Sequence, residues 1–198
     1  DHPWLKPVCL VLFAVLLVAL VVEIGYYGGV WGIPWAEVRR SVTVLIHRLV
    51  EASFYPDVVI GVGRSGSIVG ATLAGNMSHR PFIALDVEHV QSAAGARRVN
   101  VLPSSFLTLV PNELNSRKVL VVFAYVERAE TMEAAYTYLK SHGVEADKLC
   151  YATLFLDPKA PHKSPGFGGC IYYAAVKEIS KERWRLTPWS ITKDYDYR

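Results

Sequence analysis

Lys118-Val-Leu-Val-Val-Phe-Ala-Tyr-Val-Glu-Arg-Ala-Glu-Thr-Met132 is the stretch that decides the fold. Lys118 to Phe123 is a short apolar run rich in β-branched residues, the pattern of a strand buried on both faces. A sharp loop follows, and a helix is expected from Glu130 to Ser141. It would carry Met132, Ala135, Tyr136 and Leu139 on one face, with Gly143 as its stop. A buried strand feeding a helix through a tight loop is one step of an alternating β-α chain.

Working outward, the same alternation repeats. Ala36 to Ala52 has Val38, Val42, Leu45, Ile46 and Leu49 at helical spacing. Val58-Val-Ile-Gly-Val62 reads as a short buried strand, Ser67 to Met77 as a helix and Pro81 to Asp86 as a second strand. Residues 88–116 read as irregular and polar. Leu149 to Phe155 and Cys170 to Val176 complete five strands. The expected class is α/β: a doubly wound, mostly parallel five-stranded sheet with helices on both faces.

The 198 residues allow one such domain and one further segment. Hydrophobic residues make up 52% of the chain, and the excess sits at the N-terminal end. Val8 to Val22 has no polar side chain apart from the thiol of Cys9. An α-helix needs roughly 20 residues to cross a bilayer, and Pro7 to Tyr27 meets this. Trp4, Tyr26, Tyr27, Trp31 and Trp35 flank the run as interface aromatics do. The expectation is an anchor in residues 1–27, with the lipid bilayer as partner of residues 7–27. A Gly/Pro-rich linker would cover 28–34 and the α/β domain 35–198. Arg39, Arg40 and Arg48 follow the span and only Lys6 precedes it, which places the C-terminal domain in the cytoplasm of a single-pass membrane protein. The net charge of +3 is too mild to argue for nucleic acid. Three cysteines without close spacing give neither a disulfide framework nor a zinc site, and no metal site is expected.

Gly61-Val-Gly-Arg-Ser-Gly66 follows a strand and opens a helix, so its backbone N–H groups can meet a phosphate. The spacing also fits the dinucleotide fingerprint, with Asp86 about 20 residues on as a ribose acid. Its context supplies another reading. Pro56-Asp57-Val-Val-Ile-Gly-Val-Gly-Arg-Ser-Gly66 resembles the pyrophosphate loop of the type I phosphoribosyltransferases. The 118–132 stretch resembles their ribose-phosphate loop. Trp184-Arg-Leu-Thr-Pro-Trp189 is similar to a motif of the xanthine–guanine and related purine members. The resemblance spans residues 34–190. It implies Arg64, Ser65, Gly66 and Thr131 as phosphate or pyrophosphate contacts, Trp184 as the base-stacking residue, and Asp157 with Lys159 at the base edge.

The chain also departs from that family. The two acids that grip the ribose hydroxyls are replaced by Phe123 and Ala124, and the Thr/Gly loop by Glu127-Arg128-Ala129-Glu130. Asp157 stands where purine members carry a Lys; a carboxylate accepts and does not donate, which suits a 6-amino base better than a 6-oxo one. Three readings follow. The favoured one is a membrane-anchored binding, effector or assembly module without ordinary transferase activity. It would take a nucleotide-like ligand or a protein partner and form a homo-oligomer. The second is an active transferase whose acids are drawn from Asp86, Glu88, Glu127 or Glu130. The third is an NAD(P)-binding protein. No cofactor is assigned; Mg2+ is expected only with a phosphoribosyl diphosphate-type ligand.

Overall fold

A computed structural model of the chain describes residues 11–21, 33–91, 97–102, 114–127, 129–157, 170–173, 179 and 187. Its centre is a five-stranded sheet of order β2-β1-β5-β6-β7. The strands are β1 (Val58–Val62), β2 (Phe82–Leu85), β5 (Val119–Val126), β6 (Leu149–Leu156) and β7 (Cys170–Tyr173), and every pairing is parallel. The expected α/β class and its five strands are present.

The sheet is parallel because its strands are apolar on both sides. Every residue of β1 and β6 is buried, and of β5 only Tyr125 is half-exposed. One face carries Val119, Val121, Phe123, Leu149 and Tyr151, packed with Met132, Ala135 and Leu139 of helix α4 (Glu130–Ser141). Leu120, Val122 and Val59 are buried outside that cluster, as are Val69 and Leu73 of α3 (Gly63–Asn76) and Leu45 and Leu49 of α2 (Trp35–Glu51). They form the second apolar layer that a parallel sheet requires. Asp57 pins the sheet's N-terminal end: its carboxylate accepts from Lys118 N at 2.8 Å, and its own N–H donates to Lys118 O at 2.8 Å.

Three local expectations are corrected. β5 continues past Phe123 to Val126, because Tyr125 and Val126 pair with Phe155 and Leu156. Helix α3 begins at Gly63 and not at Ser67. The irregular stretch 88–116 contains an antiparallel hairpin, β3 (Val87–Gln91) with β4 (Arg97–Val101). Val87 and Val101 are paired across it and pack against the core.

Residues 11–21 form helix α1, and its apolar side chains are exposed: Val11, Phe13, Leu16 and Val18 all lie above 59%. No helix among the described residues is long and apolar enough to cross a membrane. The remainder of the expected span, residues 7–10 and 22–27, and the linker residues 28–32 lie outside the described residues. The chain divides into two compact units. One is Asp1–Val38 with Lys181–Arg198; the other is Arg39–Ser180, which holds the sheet.

The core makes one prediction about pH. Tyr151 is 1% exposed. Burial pushes its phenol well above the ordinary tyrosine value, and Tyr136 and Cys150 add to the shift. An acid raised in the folded state keeps its proton there while the unfolded chain loses it above about pH 10. Stability from this group is therefore whole below that pH and declines above it, by up to about 1.4 kcal/mol per pH unit. Urea unfolding from about pH 9 to about pH 11 should show a steeper loss in the wild type than in Tyr151→Phe. Equal slopes would remove the buried phenol as the cause.

Candidate functional site

In an open parallel sheet, ligands bind beyond the C-terminal strand ends, where the strand order reverses. Here that point lies between β1 and β5. Two helices start there, α3 directly from β1 and α4 from β5. Gly63 makes the first junction possible: its φ of +65° turns the chain from strand to helix without a loop. The expected glycine loop is thus a strand end and the first turn of a helix. Arg64 is exposed, Ser65 half-buried and Gly66 buried. A Cβ on Gly66 would lie 2.7 Å from Val122 O, so this glycine seats α3 on β5. The first-turn N–H groups of Gly63 to Gly66 have no partner one turn back within the helix. No acid lies in that turn. Ser67 Oγ donates to Gly63 O at 2.7 Å, closing the turn from the side.

The second junction has the opposite charge character. Phe123 and Ala124 lie inside β5, 4% and 2% exposed. Phe123 is in register with Thr153, and its ring stacks on Tyr151 at a centroid distance of 6.5 Å. They are strand-interior residues, not the edge of a loop. Glu127 is half-buried in the bend after β5, and Arg128 lies outside the described residues. Ala129 occupies the N-cap of α4 and offers no side-chain cap; Glu130 and Glu133 fill the first turn. Carboxylates there satisfy the helix dipole themselves and oppose a phosphate. Thr131 is half-buried in the same turn.

Asp157 follows β6 and is 8% exposed. The Tyr125 hydroxyl donates to its Oδ2 at 2.6 Å, and Asp157 N donates to Val126 O at 2.9 Å. Tyr125 was not singled out in the sequence, where it is one more aromatic in an apolar run. The hairpin is rooted at this same end of the sheet: Leu102 N donates to Asp86 O at 3.0 Å, and the side chain of Val87 stands 3.4 Å from where a Gly63 Cβ would be. Lys159, Trp184 and Trp189 lie outside the described residues. Among the described residues no group of three His, Cys, Asp or Glu side chains could hold a metal ion, and no step is assigned to Mg2+.

No family model matches the chain, and no curated protein does. Solved structures do. A purine phosphoribosyltransferase from Pyrococcus horikoshii Ot3 is 21% identical with a TM-score of 0.56, over 78% of this chain and 89% of that chain. A hypothetical protein from Neisseria gonorrhoeae with bound ppGpp is 22% identical with a TM-score of 0.61, over 74% of this chain and 81% of that chain. The fold is phosphoribosyltransferase-like. On this phosphoribosyltransferase fold, β1–α3 and β5–α4 form the two junctions at the switch point. The structure brings Arg64, Ser65 and Gly66 to the first and Glu127, Ala129, Glu130 and Thr131 to the second. It withdraws Phe123 and Ala124 into the sheet.

Proposed function

We propose that this chain is a phosphoribosyltransferase-fold binding module that holds a phosphorylated nucleotide without transferring a phosphoribosyl group. The observation that carries the reading is Phe123. The residue aligned with the family's ribose acid is a core aromatic stacked on Tyr151, so the ribose hydroxyls lose that acceptor. A site that must bond a hydroxyl loses strongly when its partners are absent. The acids in the first turn of α4 further disfavour a 5′-phosphate there. The acid-free start of α3, with Arg64 beside it, suits an anion better.

The ligand class extends that of the Neisseria gonorrhoeae neighbour, which carries ppGpp. Asp157, buttressed by Tyr125, accepts from an amino group of the base, which on the guanine of ppGpp is the 2-amino group and not the 6-oxo edge. The exposed apolar helix at 11–21 supports a membrane anchor within residues 7–27, with the domain in the cytoplasm. Self-association as a homo-oligomer is part of the same proposal, since an anchor confines copies to one plane.

Thermal unfolding of the full chain in detergent tests the binding role. A ligand at a hundred times its dissociation constant stabilises by about 2.7 kcal/mol. For a domain this size that is a rise of roughly 5–10 °C. The rise is expected with ppGpp and absent with phosphoribosyl pyrophosphate plus Mg2+. A rise with the latter, followed by base-dependent release of pyrophosphate, would instead establish an active transferase with rearranged acids.

A further inference from the structure

Cys150 and Cys170 are far apart in sequence, and the odd cysteine count hides any relation between them. The sheet relates them. β6 and β7 pair in parallel, and their register sets Cys150 directly opposite Cys170. From this juxtaposition we propose that the two cysteines are a redox couple, closed by a disulfide between the outermost pair of strands. The inference is independent of the ligand reading above.

The geometry sets both the possibility and the character of the bond. Neighbouring strands lie about 4.7–4.9 Å apart, within the Cα separations of about 4.4–6.8 Å that a disulfide spans. A disulfide also brings the Cβ atoms to roughly 3.5–4.5 Å, which is tighter than the strand spacing. Closure therefore draws β7 toward β6 and carries strain. Strained disulfides have more oxidising potentials and are the labile, regulatory ones. β7 is the strand that can give way, since among the described residues it pairs with β6 alone. Cys150 is wholly buried on the central side.

The oxidant required is a small-molecule disulfide of the glutathione class. The edge strand opens locally, and the Cys170 thiolate attacks one sulfur of that disulfide. A mixed disulfide forms and one small thiol leaves. Cys150 then attacks the Cys170 sulfur, the second small thiol leaves, and both cysteine protons end on the departing thiols. The protein dithiol is oxidised by two electrons and the small disulfide is reduced by two. Later in the chain, Ile179 N donates to Leu156 O at 2.9 Å, beside Asp157.

The test uses the full chain in detergent, equilibrated across reduced-to-oxidised glutathione ratios, quenched with an alkylating reagent and analysed by peptide mass spectrometry. The expected result is a Cys150–Cys170 linked peptide that appears only toward the oxidised end of the series and reverts on return to reduced glutathione. Cys9→Ser should leave it unchanged and Cys170→Ser should abolish it. Circular dichroism of the Cys170→Ser protein separates loss of the bond from loss of the fold. Full alkylation of both cysteines in the most oxidised buffer overturns the proposal. So does a link from either of them to Cys9 or to a second copy, or a bond that forms only after denaturation.

Discussion

Phe123→Asp is expected to remove at least about 4 kcal/mol of stability. Truncating a buried Phe costs roughly 3–5 kcal/mol from lost packing alone, and a buried carboxylate without a partner adds to that. Phe123 is 4% exposed, sits in the same cluster as Val121, Met132 and Tyr151, and stacks on the Tyr151 ring. A domain is stable by only about 5–15 kcal/mol in total, so most of the margin goes. The midpoint of thermal unfolding should fall by about 10 °C or more, while Phe123→Leu should cost far less. Ala124, 2% exposed, should respond to Asp in the same direction. Restoring the family's two acids would therefore report on folding before it reported on donor binding. On the proposed reading the positions of the ribose acids lie in the core, and point substitution does not return the grip. If Phe123→Asp were as stable as the wild type and gained affinity for phosphoribosyl pyrophosphate, the side chain would have to face solvent, and the binding-module reading would lose its main support.

What was legible in the sequence follows from which physical signals are local. The parallel sheet was legible because β1, β5 and β6 are apolar runs too short for helices, and helix α4 was legible to its bounds because its periodicity and Gly143 stop are both local. The end of β5 was not, because Tyr125 and Val126 extend the strand only by pairing with β6. The start of α3 was not, because glycines argue against a helix by propensity. Here packing overrides propensity: Gly66 is seated on Val122 O and Gly70 on Gly61. The hairpin was missed because Glu88, His89, Arg98 and Asn100 are exposed, although the alternation Val99-Asn100-Val101 was a signal to read. Asp157 could be placed by resemblance, but its hydrogen bond to Tyr125 spans two strands and has no signature in the sequence. The partnership of Cys150 with Cys170 is likewise a property of register alone.

Gly61→Ala is expected to be among the most damaging single-methyl additions in the chain, at about 3 kcal/mol or more, the upper end for overpacking. A Cβ there would lie 2.5 Å from Ser67 Cα and 2.6 Å from Gly66 O. These are backbone atoms of the first turn of α3, and no rotamer change relieves the clash. β1 cannot retreat either, since Gly61 is in register with Ala84 on one side and Val122 on the other. The helix must back away from the sheet, carrying Arg64 and Ser65 with it. Any Gly61→Ala protein that folds should thus bind ppGpp more weakly than the wild type, because the shift falls on the turn assigned to the anion. Gly75→Ala is the matched control on the same helix. A Cβ there meets nothing within 4 Å, so the helix should gain roughly 0.5–1 kcal/mol from the added propensity. Urea unfolding of both variants gives opposite signs if α3 is seated on β1 through its glycines. Equal, small effects would mean that the helix rides free of the strand, and that residues 61–66 are the open loop that the sequence alone suggested.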